Sequence, residues 1–187
     1  MNIAGLILAG GKNTRMGGVK KAYLCYNGKY FYECAAESMA SLDNVYLSVE
    51  NQALYPAMAY PMIEDIYPGI GPLGGIYSAF TVVQEEALMV LPCDVPRVTG
   101  DFVNALIARW QLEGRSVMVG VGEKLQPLIG VYERQMLPFM EEMIETGDYR
   151  MRHLITGTQT VVADIRELGY GEDMLLNVNS SRQLDNL

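Results

Sequence analysis

The densest run of chemically capable residues is Leu8-Ala9-Gly10-Gly11-Lys12-Asn13-Thr14-Arg15-Met16-Gly17-Gly18-Val19-Lys20-Lys21. It follows the apolar stretch Ile3–Leu8 and reads as a glycine-rich turn at the carboxyl end of a buried strand, where α/β sheets hold their ligands. Glycines let backbone N–H groups come close to phosphate oxygens, and lysine and arginine supply compensating charge. The spacing excludes a Walker A loop, because Gly17 stands six beyond Gly11 and is followed by Gly18-Val19 rather than Lys-Ser/Thr.

A second run, Ala87-Leu88-Met89-Val90-Leu91-Pro92-Cys93-Asp94-Val95-Pro96, ends an apolar strand in one aspartate bracketed by prolines. That is a rigid placement for a carboxylate at the sheet's edge. A carboxylate together with phosphate oxygens is the usual environment of Mg²⁺, which keeps some waters and rarely has an all-protein cage. Asp94 is therefore the expected metal residue, and Asp101 the better-placed cap for the helix that follows. Gly69-Ile70-Gly71-Pro72-Leu73-Gly74 satisfies the dinucleotide pattern GxGxxG literally, but Pro72 lies inside it and the first strand–turn position is already taken. It reads as a binding loop that enters a helix, with Pro72 near the first helical position. Asp65, at the end of the preceding short strand, could face a ligand.

These groups need a scaffold. Ile3–Leu8, Val45–Val49, Met62–Ile63, Ala87–Leu91 and Val117–Val121 read as buried strands; Phe31–Leu42, Leu73–Val83 and Phe102–Leu112 carry apolar residues at helical spacing. A strand at Pro127–Tyr132, a helix at Met136–Glu145, and short late strands at Val161–Val162 and Leu175–Val178 follow, with a closing helix over Ser180–Leu187. The alternation predicts an α/β domain with a mostly parallel sheet covered on both faces, one domain over residues 1–187.

Composition narrows the chemistry further. The chain has 187 residues and a formal net charge of −8, yet residues 1–32 hold five Lys/Arg and no Asp or Glu. An acidic body excludes a broad nucleic-acid face, whereas one cationic loop suits a small anionic ligand. The three cysteines, Cys25, Cys34 and Cys93, have no CxxC spacing, and His153 is the only histidine. A disulfide scaffold, a zinc ribbon and a histidine-paired nucleophile are all disfavoured, and a reducing compartment is expected. No apolar run approaches the roughly 20 residues of a membrane span, and the opening residues do not resemble a signal peptide. A cytoplasmic protein that binds neither membrane nor nucleic acid is the expectation.

Taken in order, the glycine-rich run ending in Lys21, Glu64-Asp65 with Gly71-Pro72-Leu73-Gly74-Gly75-Ile76, Pro92-Cys93-Asp94-Val95-Pro96, Gln126-Pro127-Leu128-Ile129-Gly130-Val131-Tyr132 and Asn177-Val178-Asn179 resemble the molybdenum cofactor guanylyltransferases. The resemblance runs from Leu8 to Asn179 and implies a three-layer, Rossmann-like nucleotidyltransferase fold. It implies that GMP passes from GTP to the molybdopterin form of the molybdenum cofactor, giving the guanine dinucleotide and pyrophosphate, with Mg²⁺ as cofactor. Leu8, Ala9, Gly10, Lys21, Asp65, Gly71 and Asp94 then contact GTP, Asp94 holds the metal, and Arg15, Lys21 and Asp94 are catalytic. Arg150, with His153 on one helical face, and Asn177 and Asn179, alternating on a strand, fall to the pterin side. Molybdoenzymes and other cofactor-biosynthesis proteins are the implied partners.

Two departures matter. Lys20 stands where the family carries an acid, leaving open which lysine reaches the phosphates, and Ser180-Ser181 replace the family's Thr-Pro after Asn179. Whether Asp65 meets base or ribose also stays open. Two other functions remain compatible with the sequence: a cytidylyl or sugar-phosphate nucleotidyltransferase, and a non-catalytic adaptor that binds nucleotide or cofactor and delivers it.

Overall fold

In the computed structural model, residues 2–10, 20–56 and 58–178 are described. The first strand, β1 (Ile3–Leu8), is buried at all six positions, which explains its uninterrupted apolar sequence: both faces of the sheet are covered. A hairpin of β2 (Cys25–Tyr26) and β3 (Lys29–Tyr30) precedes α1 (Phe31–Ser38), and β4 (Val45–Val49) and β5 (Met62–Glu64) follow. Next come α2 (Pro72–Val82), β6 (Ala87–Pro92), α3 (Gly100–Glu113), β7 (Val117–Val121) and β8 (Lys124–Glu133). The last elements are α4 (Leu137–Thr146), α5 (Met151–Gly157) and β9 (Val161–Asp164).

Seven strands form one sheet in the order β5-β4-β1-β6-β8-β7-β9. Only β8 runs against the others, so the sheet is mostly parallel, as the sequence predicts. Alternate residues of β1 feed opposite faces. Ile3 and Ile7 pack with Phe31, Ala35, Phe102 and Leu106 of α1 and α3. Ala4, Leu6 and Leu8 pack with Leu73, Ile76, Met140 and Leu154 of α2, α4 and α5. Helix, sheet and helix make the three expected layers.

Three sequence expectations change, and one element went unread. The helix from Phe31 ends at Ser38 rather than Leu42, and the chain continues in tighter turns in which Met39 donates to Ala36 and Leu42 to Met39. The cap of α3 is Thr99, whose side chain accepts from the Phe102 amide at 3.4 Å, while Asp101 lies in the first turn. The β2–β3 hairpin went unread, although its Asn27-Gly28 connection is the strongest short hairpin signal a sequence offers. Leu175–Val178 is not a strand: Glu172–Leu175 makes a single 3₁₀ turn. At β6, whose end the segment reaches, both sides are already paired, with β1 and β8, so no strand can add there. The segment contributes one bond instead, from the Val178 amide to the Asp94 carbonyl at 2.9 Å. The closing helix expected over 180–187 lies outside the described residues.

Candidate active site

Four parallel strands bring their carboxyl ends to one edge. Leu8 is in register with Ser48 of β4 on one side and Pro92 of β6 on the other, while Ser48 is in register with Ile63 of β5. The residues just past these ends, Asp65, Glu50, Ala9 and Asp94, form a row across the sheet. From β5 to β6 is three interstrand spacings of about 4.8 Å, or roughly 14 Å, a span suited to an extended nucleoside phosphate.

At one end of the row, Asp65 is half-buried and its Oδ1 accepts a hydrogen bond from Ser48 Oγ at 3.2 Å. Burial pushes its carboxyl up to about 6; the Ser48 bond opposes this, and the charges of Glu50 and Glu64 add to it. Gly71 caps the N-terminus of α2 with φ of 76°, a conformation that favours glycine, and Pro72 opens the helix as expected. One turn on, Gly75 lets the helix approach the sheet. A Cβ there would sit within 3.4 Å of both Asp65 Oδ1 and Leu8 Cδ2, and only 2.3 Å from Ser48 Oγ. Buried Ser78 ties the two loops together, donating to Gly74 O at 2.7 Å and accepting from the Ile66 amide at 2.8 Å. Leu8, Asp65 and Gly75 of α2, read separately from the sequence, thus meet in one place, while nothing lies within 4 Å of where a Cβ of Gly71 would be. Ser48 belongs with them and was missed; a lone serine inside the apolar run Val45–Val49 was its only signal.

At the other end, Asp94 follows β6, with Cys93 donating its amide to Leu8 O at 3.2 Å. Lys21 Nζ lies 2.8 Å from Asp94 Oδ2. Asp94 Oδ1 is buried and has no hydrogen-bond partner among the described residues. A buried carboxylate oxygen left in that state is costly unless something compensates it, so the donor set fits a hard cation such as Mg²⁺. Among the described residues no three His, Cys, Asp or Glu side chains converge as a metal cluster, so other ligands would have to come from phosphate and water. Neighbouring Cys93 is buried and its thiol is pushed up to about 12 by burial, with Asp94's charge adding to the effect, so it is no nucleophile.

Lys20 does not share Lys21's position; it pairs with Glu50. The amides of Ala9 and Gly10 both donate to Ser48 O, at 3.0 and 3.1 Å. These two N–H groups are therefore committed to β4 rather than presented to a phosphate, which corrects the simplest reading of the glycine-rich turn. Arg15 and Asn179 lie outside the described residues. Asn177 is exposed, and the strand that was to align it with Asn179 does not form.

The basic spot around Arg150 is compensated internally. Arg150 donates to both Asp148 oxygens at 2.8 and 3.0 Å, and His153 Nδ1 lies 2.6 Å from Asp148 Oδ2. These contacts, Arg150's first, hold the Asp148 carboxyl well below the usual range. Arg150 caps rather than joins α5, so it does not share a helical face with His153 as expected. A cleft of about 420 Å³ is lined by Tyr26, Lys29, Glu37, Pro96 and Thr99, none of them in this row. Its lysine is engaged by Glu37 at 2.7 Å, which makes it a poor phosphate site.

The MobA-like NTP transferase domain matches residues 5–162. The chain belongs to that family. It is 28% identical over 192 residues to the probable molybdenum cofactor guanylyltransferase of a Geobacillus species, covering 99% of this chain and 97% of the relative. It is 33% identical over 159 residues to the protein of the same description from Clostridium perfringens, covering 84% of this chain and 80% of the relative. Among solved structures, molybdopterin-guanine dinucleotide biosynthesis protein A from Archaeoglobus fulgidus superposes with a TM-score of 0.83 at 18% identity, covering 98% of this chain and 95% of the other. That last likeness shows a shared fold. In this MobA-like chain, no helix among the described residues is long and apolar enough to cross a membrane.

Proposed function

We propose that the protein transfers GMP from GTP to the molybdopterin form of the molybdenum cofactor, releasing pyrophosphate. The observation that carries this reading is the row itself: a nucleoside-side carboxylate, Asp65, and a phosphate-side pair, Lys21 and Asp94, sit at opposite ends of one sheet edge. Near-full-length relatives described as guanylyltransferases support the choice of nucleotide and acceptor.

The acceptor's terminal phosphate oxygen attacks the α-phosphorus of GTP. The bond from that phosphorus to the bridging oxygen breaks, and pyrophosphate leaves with the electron pair. A phosphate nucleophile is already deprotonated at neutral pH, so no general base is needed. Two polyanions must meet, so positioning and charge compensation dominate the barrier. Lys21 supplies a fixed cation on the leaving-group side, joined by Arg15 on the sequence reading. Asp65, oriented by Ser48, contacts the nucleoside, while Leu8, Ala9, Gly10 and Gly71 line its approach. Asp94 would hold Mg²⁺ through Oδ1, and the ion would supply positive charge to the phosphate oxygens. Arg150 and Asn177, with Asn179, are assigned to the pterin side, and the whole chain acts as one domain in the cytoplasm, passing its product toward molybdoenzymes.

The test is nucleotide transfer with molybdopterin as acceptor, comparing GTP with CTP and ATP and following pyrophosphate. Guanine presents donors at N1 and N2, and a net loss of one such pair when another base enters costs about 1–3 kcal/mol, so GTP should be preferred roughly tenfold to a few hundredfold in kcat/KM. Equal turnover of CTP would remove the guanylyl assignment. Nucleotide binding without pyrophosphate release would leave an adaptor.

A further inference from the structure

Lys20 and Lys21 are neighbours in sequence, yet their ammonium groups are held on opposite sides of β1. Lys21 reaches Asp94 beyond β6, and Lys20 reaches Glu50 beyond β4. β4 and β6 are the two strands that pair with β1, so the dipeptide spans the end of the central strand. The 3₁₀ turn Lys21–Tyr23 fixes the backbone between them, with Tyr23 donating to Lys20 O at 3.0 Å.

The strand side of the glycine-rich segment is fastened at the same point. Gly10 packs on Glu50, where a Cβ would lie 3.1 Å from Oε2. Tyr55, fully buried, places its hydroxyl 2.8 Å from Glu50 Oε2 and 3.0 Å from Ala9 O. Lys20 Nζ also lies 4.9 Å from the centre of the Tyr55 ring, an added attraction for the cation. Burial alone would raise the Glu50 carboxyl, but bonds from Lys20, from its own amide and from Tyr55 hold it below the ordinary value. Glu50 is thus a charged pin to which Gly10, Tyr55 and Lys20 all attach. A lysine side chain is rich in rotamers, so a fixed starting point for Lys21 matters to any phosphate it must meet.

We propose that Glu50 is a positioning residue for nucleotidyl transfer: paired with Lys20 and bonded to Tyr55, it sets where Lys21 stands beside Asp94 and so before the phosphates of the nucleotide. The inference rests on the reading of the chain as a GTP-using transferase, and its test separates the two. The full chain and the variants Glu50→Gln, Lys20→Met and their double would be titrated with GTP and with GMP, each with Mg²⁺, and pyrophosphate release from GTP with molybdopterin as acceptor followed in parallel. Each single variant should weaken GTP binding about tenfold, about 1.4 kcal/mol. GMP, which lacks the β- and γ-phosphates, should change less than twofold, and the double should be no worse than either single.

Equal losses for GTP and GMP would mean that Glu50 merely supports the end of β4, and would overturn the proposal. So would unchanged GTP binding, or single losses that multiply to about a hundredfold in the double. Should Glu50→Gln not fold, the GTP-against-GMP contrast in Lys20→Met decides alone. A wild-type chain that binds GTP but releases no pyrophosphate overturns the transferase reading, and the binding contrast still decides Glu50. A wild-type chain that binds no GTP overturns both.

Discussion

Lys21 Nζ and Asp94 Oδ2 meet at 2.8 Å across 73 residues of sequence, joining the segment that follows the glycine-rich turn to the end of β6. Each compensates the other's charge in a partly buried position where neither could stand alone cheaply. The pair also leaves Asp94 with its second oxygen, Oδ1, buried and uncommitted among the described residues. One oxygen orients the lysine and the other is open to a cation, a division of labour that a single carboxylate can hold only if its strand is rigid. Val95 and Pro96, both buried, and the Val178 amide on Asp94 O supply that rigidity.

Replacing Asp94 by Ala should abolish transfer and leave the fold intact. Loss of one preorganised electrostatic group typically costs about 10²–10³ in rate, and here both Lys21 and the cation lose their anchor. Pyrophosphate release measured beside a thermal unfolding curve is the check, and near-normal turnover by the folded variant would remove Asp94 from the site.

Lys21→Ala should reduce turnover about a hundredfold and Lys20→Ala about tenfold. Only Lys21 contacts Asp94, whereas Lys20 acts at one remove through Glu50. Steady-state kcat/KM for GTP orders them, and a larger loss at Lys20 would reverse the assignment.

Gly75→Ala should weaken GTP binding at least tenfold while the sheet stays formed. The new methyl would collide with Ser48 Oγ and press on Asp65 Oδ1, displacing the hydroxyl from its carboxylate. Calorimetric titration of GTP against the variant measures this; wild-type affinity would mean that Ser48 and Asp65 do not serve the nucleoside.

Asp65 makes stability and binding respond to pH in opposite senses. Its carboxyl is raised to about 6 by burial, so between its ordinary value of 3.8 and about 6 the folded state binds more protons than the unfolded. Stability from this group is present at low pH and falls as pH rises through that window. Asp65→Asn should therefore gain on the wild type by about 1–2 kcal/mol between pH 4 and 7, after allowance for partial exposure. Urea unfolding at several pH values tests that. Wild-type GTP affinity should instead drop below pH 6, where the carboxylate is no longer ionised to accept the nucleoside's donors.

Arg134→Met should destabilise the protein by about 2–4 kcal/mol without touching the site chemistry. The guanidinium donates to Phe80 O, Val83 O and Glu85 O at 2.6, 2.7 and 2.8 Å, closing the far end of α2, the helix whose first turns approach Asp65 and Ser48. The carbonyls left behind would lose charge-assisted donors. A fall of several degrees in Tm with GTP affinity retained at low temperature is the expected result.

The sequence by itself determined the central strands, because a sheet covered on both faces demands continuous apolar runs such as Ile3–Leu8 and Ala87–Leu91, and it located the long helices through their period. It also exposed Asp94, Asp65 and the glycine-rich run, since a charged or glycine-rich segment directly after such a strand is conspicuous. What it could not determine depends on register. Ser48, Glu50 and Tyr55 are ordinary residue types in an ordinary strand and turn; they matter because β4 pairs with β1 so that Ser48 faces Leu8 and Glu50 meets Gly10. Lys20 and Lys21 could not be told apart in sequence for the same reason, each lysine being paired with the acid beyond a different neighbour of β1. Leu175–Val178 has the composition of a strand and no free edge at β6 to join, and Arg150 looks cationic until Asp148 folds back on it. Local composition specifies what a segment can become, but pairing and charge compensation are settled between segments distant in sequence, where only the folded chain brings the partners within reach.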